Sequence, residues 1–152
     1  MYMMGDSELV GYTDADWAND RSNCCSISGY AFLYSGGAVS WMSRQQSTIT
    51  TSSTHTEYIA AAEATKELVW LCCLLTELQE QISGPMVLHI NNHAATKHID
   101  VWYHYIRECI TDGSIVLKLI RMNDMAADVL TKSVTNMKHE HFCLMLSMET
   151  LD

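Results

Sequence analysis

SGYAFLYSGGAVSWM, residues 28–42, reads as a β-hairpin, and that reading decides the fold. Aromatic and apolar residues fill Ser28 to Tyr34, a composition that packs well on a pleated surface. Gly36–Gly37 then supplies turn residues, and Ala38 to Met42 resumes the apolar run with Trp41 inside it. Upstream, Glu8 to Thr13 alternates polar and apolar residues and leads into Asp14 as a further short strand. The first third of the chain is therefore expected to be three antiparallel strands.

Downstream, Ser52-Ser53-Thr54 opens a long helical pattern, with Ser53 or Thr54 placed to accept from the free N–H groups at its start. Tyr58, Ala61, Ala62, Leu68, Leu71, Cys72 and Leu75 fall along one face of it, and Gly84–Pro85 breaks the pattern after about Gln79. Met86 to Ile90 is a short apolar strand. Thr96 to Asp112 is an amphipathic helix closed by Gly113. Ser114 to Ile120 is a strand, Asp124 to Lys132 a third helix, and Asn136 to Met148 a terminal helix. The order β-β-β-α-β-α-β-α predicts an α/β fold, a mixed five-stranded sheet with helices packed on it.

The chain has 152 residues and 48% hydrophobic content, which suits one globular domain. No apolar run approaches the ~18 residues of a membrane span, and Met1 to Glu8 lacks the pattern of a signal peptide. An intracellular location follows as the expectation. The six cysteines are then expected to stay reduced, with no disulfide-linked partner. Cys24–Cys25 and Cys72–Cys73 are adjacent pairs, not the spaced pairs that let two thiolates chelate one zinc ion. The net charge of −9 opposes contact with phosphates, which needs Lys and Arg.

Acids stand at three places on this framework. Asp14 and Asp16 lie at the end of the first strand, Glu57 in the first turn of the long helix, and Asp128 in the late helix. Two-metal phosphoryl chemistry needs carboxylates that hold two divalent ions about 4 Å apart, and magnesium suits such oxygen ligands. Spacing alone equally allows Glu57 to favour its helix N-terminus through the dipole and Asp14 and Asp16 to be solvated turn residues.

Five ordered segments carry more: GYTDADWAND (11–20), SISGYAFLYSGGAVSWMSRQQ (26–46), SSTHTEYIAAAEATKELVWL (52–71), TKHIDVWYHYIRE (96–108) and ADVLTK (127–132). Together they closely resemble the ribonuclease H domain that ends the Pol polyprotein of copia-type retrotransposons, whose members read approximately GYSDADWAGD, STSGY, AISWSSKKQ, SSTEAEYMA, TKHIDIRYHFIRE and ADILTK. The resemblance runs from about Leu9 to Lys132 and implies a ribonuclease H-like fold. On it, residues 1–8 read as the remnant of an upstream linker, 9–132 as the ribonuclease H-like domain, and 133–152 as a helical C-terminal tail. The implied activity is cleavage of the RNA strand of an RNA–DNA hybrid with two magnesium ions. The implied partners are that hybrid and the reverse transcriptase domain of the same polyprotein, in the cytoplasm or a virus-like particle. Of the four acids that carry such a site, the resemblance places three at Asp14, Glu57 and Asp128, the expected metal ligands.

The chain also departs from the pattern. The third acid belongs in a segment resembling CDNQSA, which here is INNHAA (90–95), so Asn91 stands at the acid's position. A neutral carboxamide weakens metal binding, and His93 is a poor substitute because magnesium prefers oxygen. Roughly a dozen residues that the family carries next are missing, and Ala95 runs straight into Thr96. The family often has Arg where this chain has Cys24, Cys25, Cys72, Cys73 and Trp102, and Pro where it has Ser133. Each of these changes, like Asp to Asn, can arise from one C-to-T change on either DNA strand, as expected of a silenced, methylated transposon. We hold that decay as a hypothesis; intact relatives encoding these arginines with AGA or AGG codons would remove it. Restoring five arginines moves the charge from −9 to −4.

Other residues read as structural. His98, Asp100 and His104 are expected to pack or cap a helix, since positions six apart share a helical face poorly. Trp17, Trp41 and Trp70 are expected in core or sheet-edge packing, and Lys97, Arg107, Lys118 and Arg121 as the remnant of a hybrid-binding surface. The expected function is a degenerate ribonuclease H domain with impaired catalysis. The alternatives are a non-catalytic nucleic-acid- or protein-binding module and a genomic relic without function.

Overall fold

A computed structural model describes residues 7–17, 25–80, 82, 84–91 and 104–148, apart from the side chains of 104–107. Five strands, β1 (Leu9–Asp16), β2 (Ile27–Tyr34), β3 (Gly37–Gln45), β4 (Met86–Ile90) and β5 (Ile115–Leu119), form one sheet in the order β3-β2-β1-β4-β5. The β1–β2 and β2–β3 pairs are antiparallel, while β4 runs parallel to both β1 and β5. This is the mixed five-stranded α/β sheet expected from the sequence, and it is consistent with a ribonuclease H-like domain.

The β2–β3 hairpin turns on Ser35 and Gly36, at φ 50° and 78°. Positive φ at both central residues is the condition that lets a two-residue turn match the twist of its strands. The turn thus sits one residue earlier than Gly36–Gly37 suggested, and Gly37 opens β3.

Helix α1 (Ser53–Glu77) is capped by Ser52, not by Ser53 or Thr54: the Ser52 hydroxyl accepts from the His55 N–H at 3.2 Å. Its buried face includes Tyr58, Ala61, Ala62, Leu68 and Leu71, packed on Leu9, Phe32, Leu88 and Ile115 of the sheet. Helix α2 (His104–Thr111) adds Cys109 to the same cluster, so both helices cover one face. Gly113, at φ 81°, follows α2 as expected.

On the opposite face, a short 3-10 turn (Met122–Asp124) precedes α3 (Asp128–Thr131), and α4 (Asn136–Met145) follows. The single helix expected over Asp124–Lys132 is thus divided. Phe142 and Leu146 bury against Ala31, Leu33 and Ala126, a second core beneath β2. The architecture is a sheet between two helical layers.

Of the core or sheet-edge places expected for three tryptophans, the core is excluded, while Trp41 does lie on the edge strand β3. Trp17, Trp41 and Trp70 are 48%, 66% and 56% exposed, so none is a core residue. Among the described residues no helix is long and apolar enough to cross a membrane. Cys24, His93, the junction after Ala95, Lys97, His98, Asp100 and Trp102 lie outside the described residues, as do the side chains of His104 and Arg107.

Candidate active site

Strand alternation aims Asp14 at the face that carries α3, and Gly29, its partner across the β1–β2 ladder, lets that helix come close. A Cβ at position 29 would lie 2.7 Å from the Thr131 methyl carbon and 2.9 Å from Leu130 Cβ. The glycine therefore seats the end of α3 directly beside Asp14. On the other side β4 runs parallel to β1 with His89 opposite Tyr12, which brings Asn91, just past the strand end, level with Asp14. The crevice at the carboxyl ends of parallel strands is where open α/β sheets usually carry their chemistry.

The result is a tight cluster around one carboxylate. Asp14 is 2% exposed, which excludes the solvated-turn reading. Its Oδ1 accepts from Asn91 Nδ2 at 2.8 Å, and its Oδ2 accepts from the Thr131 hydroxyl. The Lys132 ammonium lies 3.4 Å from Asp14 Oδ2 and 3.0 Å from Asp128 Oδ1. Asp128 is also 2% exposed. Burial pushes its carboxyl above the ordinary range, opposed by the hydrogen bond from Lys132 and reinforced by the charge of Asp14. Burial pulls the Lys132 ammonium down, but the two carboxylates outweigh it and hold the ammonium above its usual value. Asp16, at the edge of the cluster, is raised by burial and by Asp14, against the pull of Lys132.

Glu57 lines a small pocket together with Thr13, Asp14, Ala15, Ala61, Ile90 and Asn91. It is the fifth residue of α1, just past the first turn in which the sequence placed it. What holds it there is a buried polar network that the sequence did not disclose. Gln46 Nε2 donates to the Thr56 carbonyl at 3.0 Å and to Ser28 Oγ at 2.8 Å, and the Thr56 hydroxyl meets those of Ser26 and Thr50. These bonds fix the start of α1 against β2, and the Trp17 indole donates to the Thr50 carbonyl at 3.1 Å from the other side. Only the run of Ser and Thr before α1 hinted at it.

Asp14, Glu57 and Asn91 thus share one pocket, and Asp128 joins Asp14 through Lys132. The donor set does not fit a pair of divalent ions. Both oxygens of Asp14 are taken up by donors from the chain itself, and Asn91 turns an N–H toward the cluster. Among the described residues no three His, Cys, Asp or Glu side chains are grouped to hold an ion. Lys132 and Thr131, which both meet Asp14 Oδ2, were not singled out from the sequence; LTK after the late acid was their signal.

Sequence comparison meets this geometry from outside. The chain is 44% identical over 146 residues to the retrovirus-related Pol polyprotein from transposon TNT 1-94 of Nicotiana tabacum, covering 89% of this chain and 11% of that protein. Its homologues are retrovirus-related Pol polyproteins of plant transposons. Transposon RE2 of Arabidopsis thaliana encodes another, 35% identical over 88% of this chain and 10% of its own length. The chain therefore spans about a tenth of these Pol polyproteins. A secreted RxLR effector protein of Plasmopara viticola is 55% identical over 67 residues, 44% of this chain and 47% of that protein. No family model matches the chain.

Proposed function

We propose that this chain is a degenerate ribonuclease H domain of a copia-type Pol polyprotein, descended from an enzyme that hydrolysed the RNA strand of RNA–DNA hybrids with magnesium. The observation that carries the reading is the meeting of Asp14, Glu57 and the Asn91 position in one pocket, with Asp128 tied to Asp14. These are the four positions of the resemblance, drawn from two strand ends and two helices far apart in sequence. The same observation supports impairment, because Asn91 contributes a donor where the chemistry needs a charged acceptor.

The experiment is hybrid cleavage by the purified chain in magnesium. The natural chain leaves the hybrid intact. A variant with Asn91→Asp and a segment of family length inserted after Ala95 cleaves the RNA strand alone. Robust turnover by the natural chain that Asp14→Asn abolishes overturns the impairment, and failure of the restored variant to cut overturns the descent.

Exposed Trp41 and Trp70 favour a second reading, a non-catalytic binding module. Hybrid binding without magnesium and with a steep salt dependence would support its nucleic-acid form, against which the charge of −9 stands.

A further inference from the structure

Two buried carboxylates beside each other are costly unless a positive charge lies between them. In an enzyme of this descent that charge would come from divalent ions; here it comes from the chain. Lys132 ends α3 in an extended conformation, φ −144° and ψ 157°, and turns back over its own helix to reach Asp128 Oδ1 at 3.0 Å and Asp14 Oδ2 at 3.4 Å. Thr131 and Asn91 occupy the remaining directions around Asp14. We propose that the Lys132 ammonium stands in the cation's place between Asp14 and Asp128, so that the paired carboxylates are partly neutralised from within and divalent ions are kept out.

The inference rests on reading these acids as the remnant of a metal site, and it explains what Asn91 changes. A lysine also ends the ADILTK pattern of the resemblance, so Lys132 is not itself a lesion. With an acid at position 91, a third carboxylate would join Asp14 and Asp128, and one ammonium would leave two negative charges, which a dication would balance. With the carboxamide, two carboxylates and one ammonium leave a single negative charge, and the amide donates where the acid would have accepted. The loss of one carboxylate therefore tips a competition between lysine and metal.

Thermal unfolding of the full chain tests this in EDTA and in Mg2+ or Mn2+ at millimolar concentration. The natural chain melts at the same temperature in both. Lys132→Met melts roughly 10 °C lower in EDTA, as expected when a buried charge pair loses its partner, and the metal raises its melting point by several degrees through mass action. If Lys132→Met does not fold in EDTA, the charge-matched double variant Lys132→Met with Asp128→Asn still reports, regaining most of the lost stability without metal. Manganese binding followed by electron paramagnetic resonance appears in Lys132→Met and not in the natural chain. Three results overturn the proposal: an unchanged melting point for Lys132→Met in EDTA, a loss that no divalent ion recovers, or metal stabilisation of the natural chain equal to that of the variant. None of these decides the descent, which stands or falls on cleavage by the restored chain.

Discussion

On the proposed function, Asn91 is the residue on which the chemistry turns, and its expected effect is as much on stability as on catalysis. Asp at this position would replace a hydrogen bond of 2.8 Å to Asp14 by the contact of two like charges. We expect Asn91→Asp to cost about 2 kcal/mol in metal-free buffer, read by urea unfolding, and magnesium to return part of it. A second residue sets a pH dependence. His89 stacks on Tyr12 with ring centroids 4.9 Å apart, and its Nδ1 is buried without a hydrogen-bond partner. Burial and the nearby Lys118 hold its pKa below the usual 6.5. The unfolded chain therefore takes up this proton more readily, so the stability tied to His89 is full above pH 6.5 and is lost as the pH falls through the lowered value. His89→Phe keeps the stack and should flatten that acid-side decline in the urea midpoint; an unchanged slope would remove His89 as its cause. At this scale the candidate acids were legible because they sit in recognisable segments. Lys132 and Thr131 were not, because a side chain that reaches across the sheet leaves no periodic mark in sequence.

Elements were read better than their ends. The alternation in β1 and the apolar face of α1 come from burial that repeats every second residue or every turn, and such periods survive in the sequence. Caps and turns depend on single hydrogen bonds, which is why Ser52 and the Ser35–Gly36 turn each fell one residue from the expected place. The helix expected over 124–132 failed for a related reason: Met125, Ala126 and Ala127 are fully buried, and packing divides the segment where propensity alone would continue it. At this scale Gly29 is the position to test. Gly29→Ala would press a methyl group onto Thr131 and Leu130 and lift α3 from β2. We expect a loss of about 1–3 kcal/mol by chemical denaturation. The same shift should break the contact of Lys132 with Asp14, seen as a lower melting point in EDTA that Lys132→Met no longer lowers further. Additive losses in the double variant would show that Gly29 does not seat the cluster.

Over the whole molecule, the sheet divides the protein into two cores with different origins in the sequence. The α1 side was legible from the helix face alone, while the core under β2 depends on α4, which the sequence reading set apart as a tail beyond residue 132. Phe142 is fully buried there, so Phe142→Ala should cost about 3–5 kcal/mol; a loss below 1 kcal/mol would mean that α4 is only loosely attached. Net charge also belongs to this scale: a chain at −9 repels phosphate, and the exposed Cys73 marks one place where an arginine would be accommodated without disturbing the core. Fold retained, with metal chemistry lost, is the account that joins these observations. Its central claim is tested most directly by calorimetric titration of the natural chain with magnesium at neutral pH. The account expects no saturable heat up to millimolar concentration. Stoichiometric binding that Asp14→Asn abolishes would contradict it.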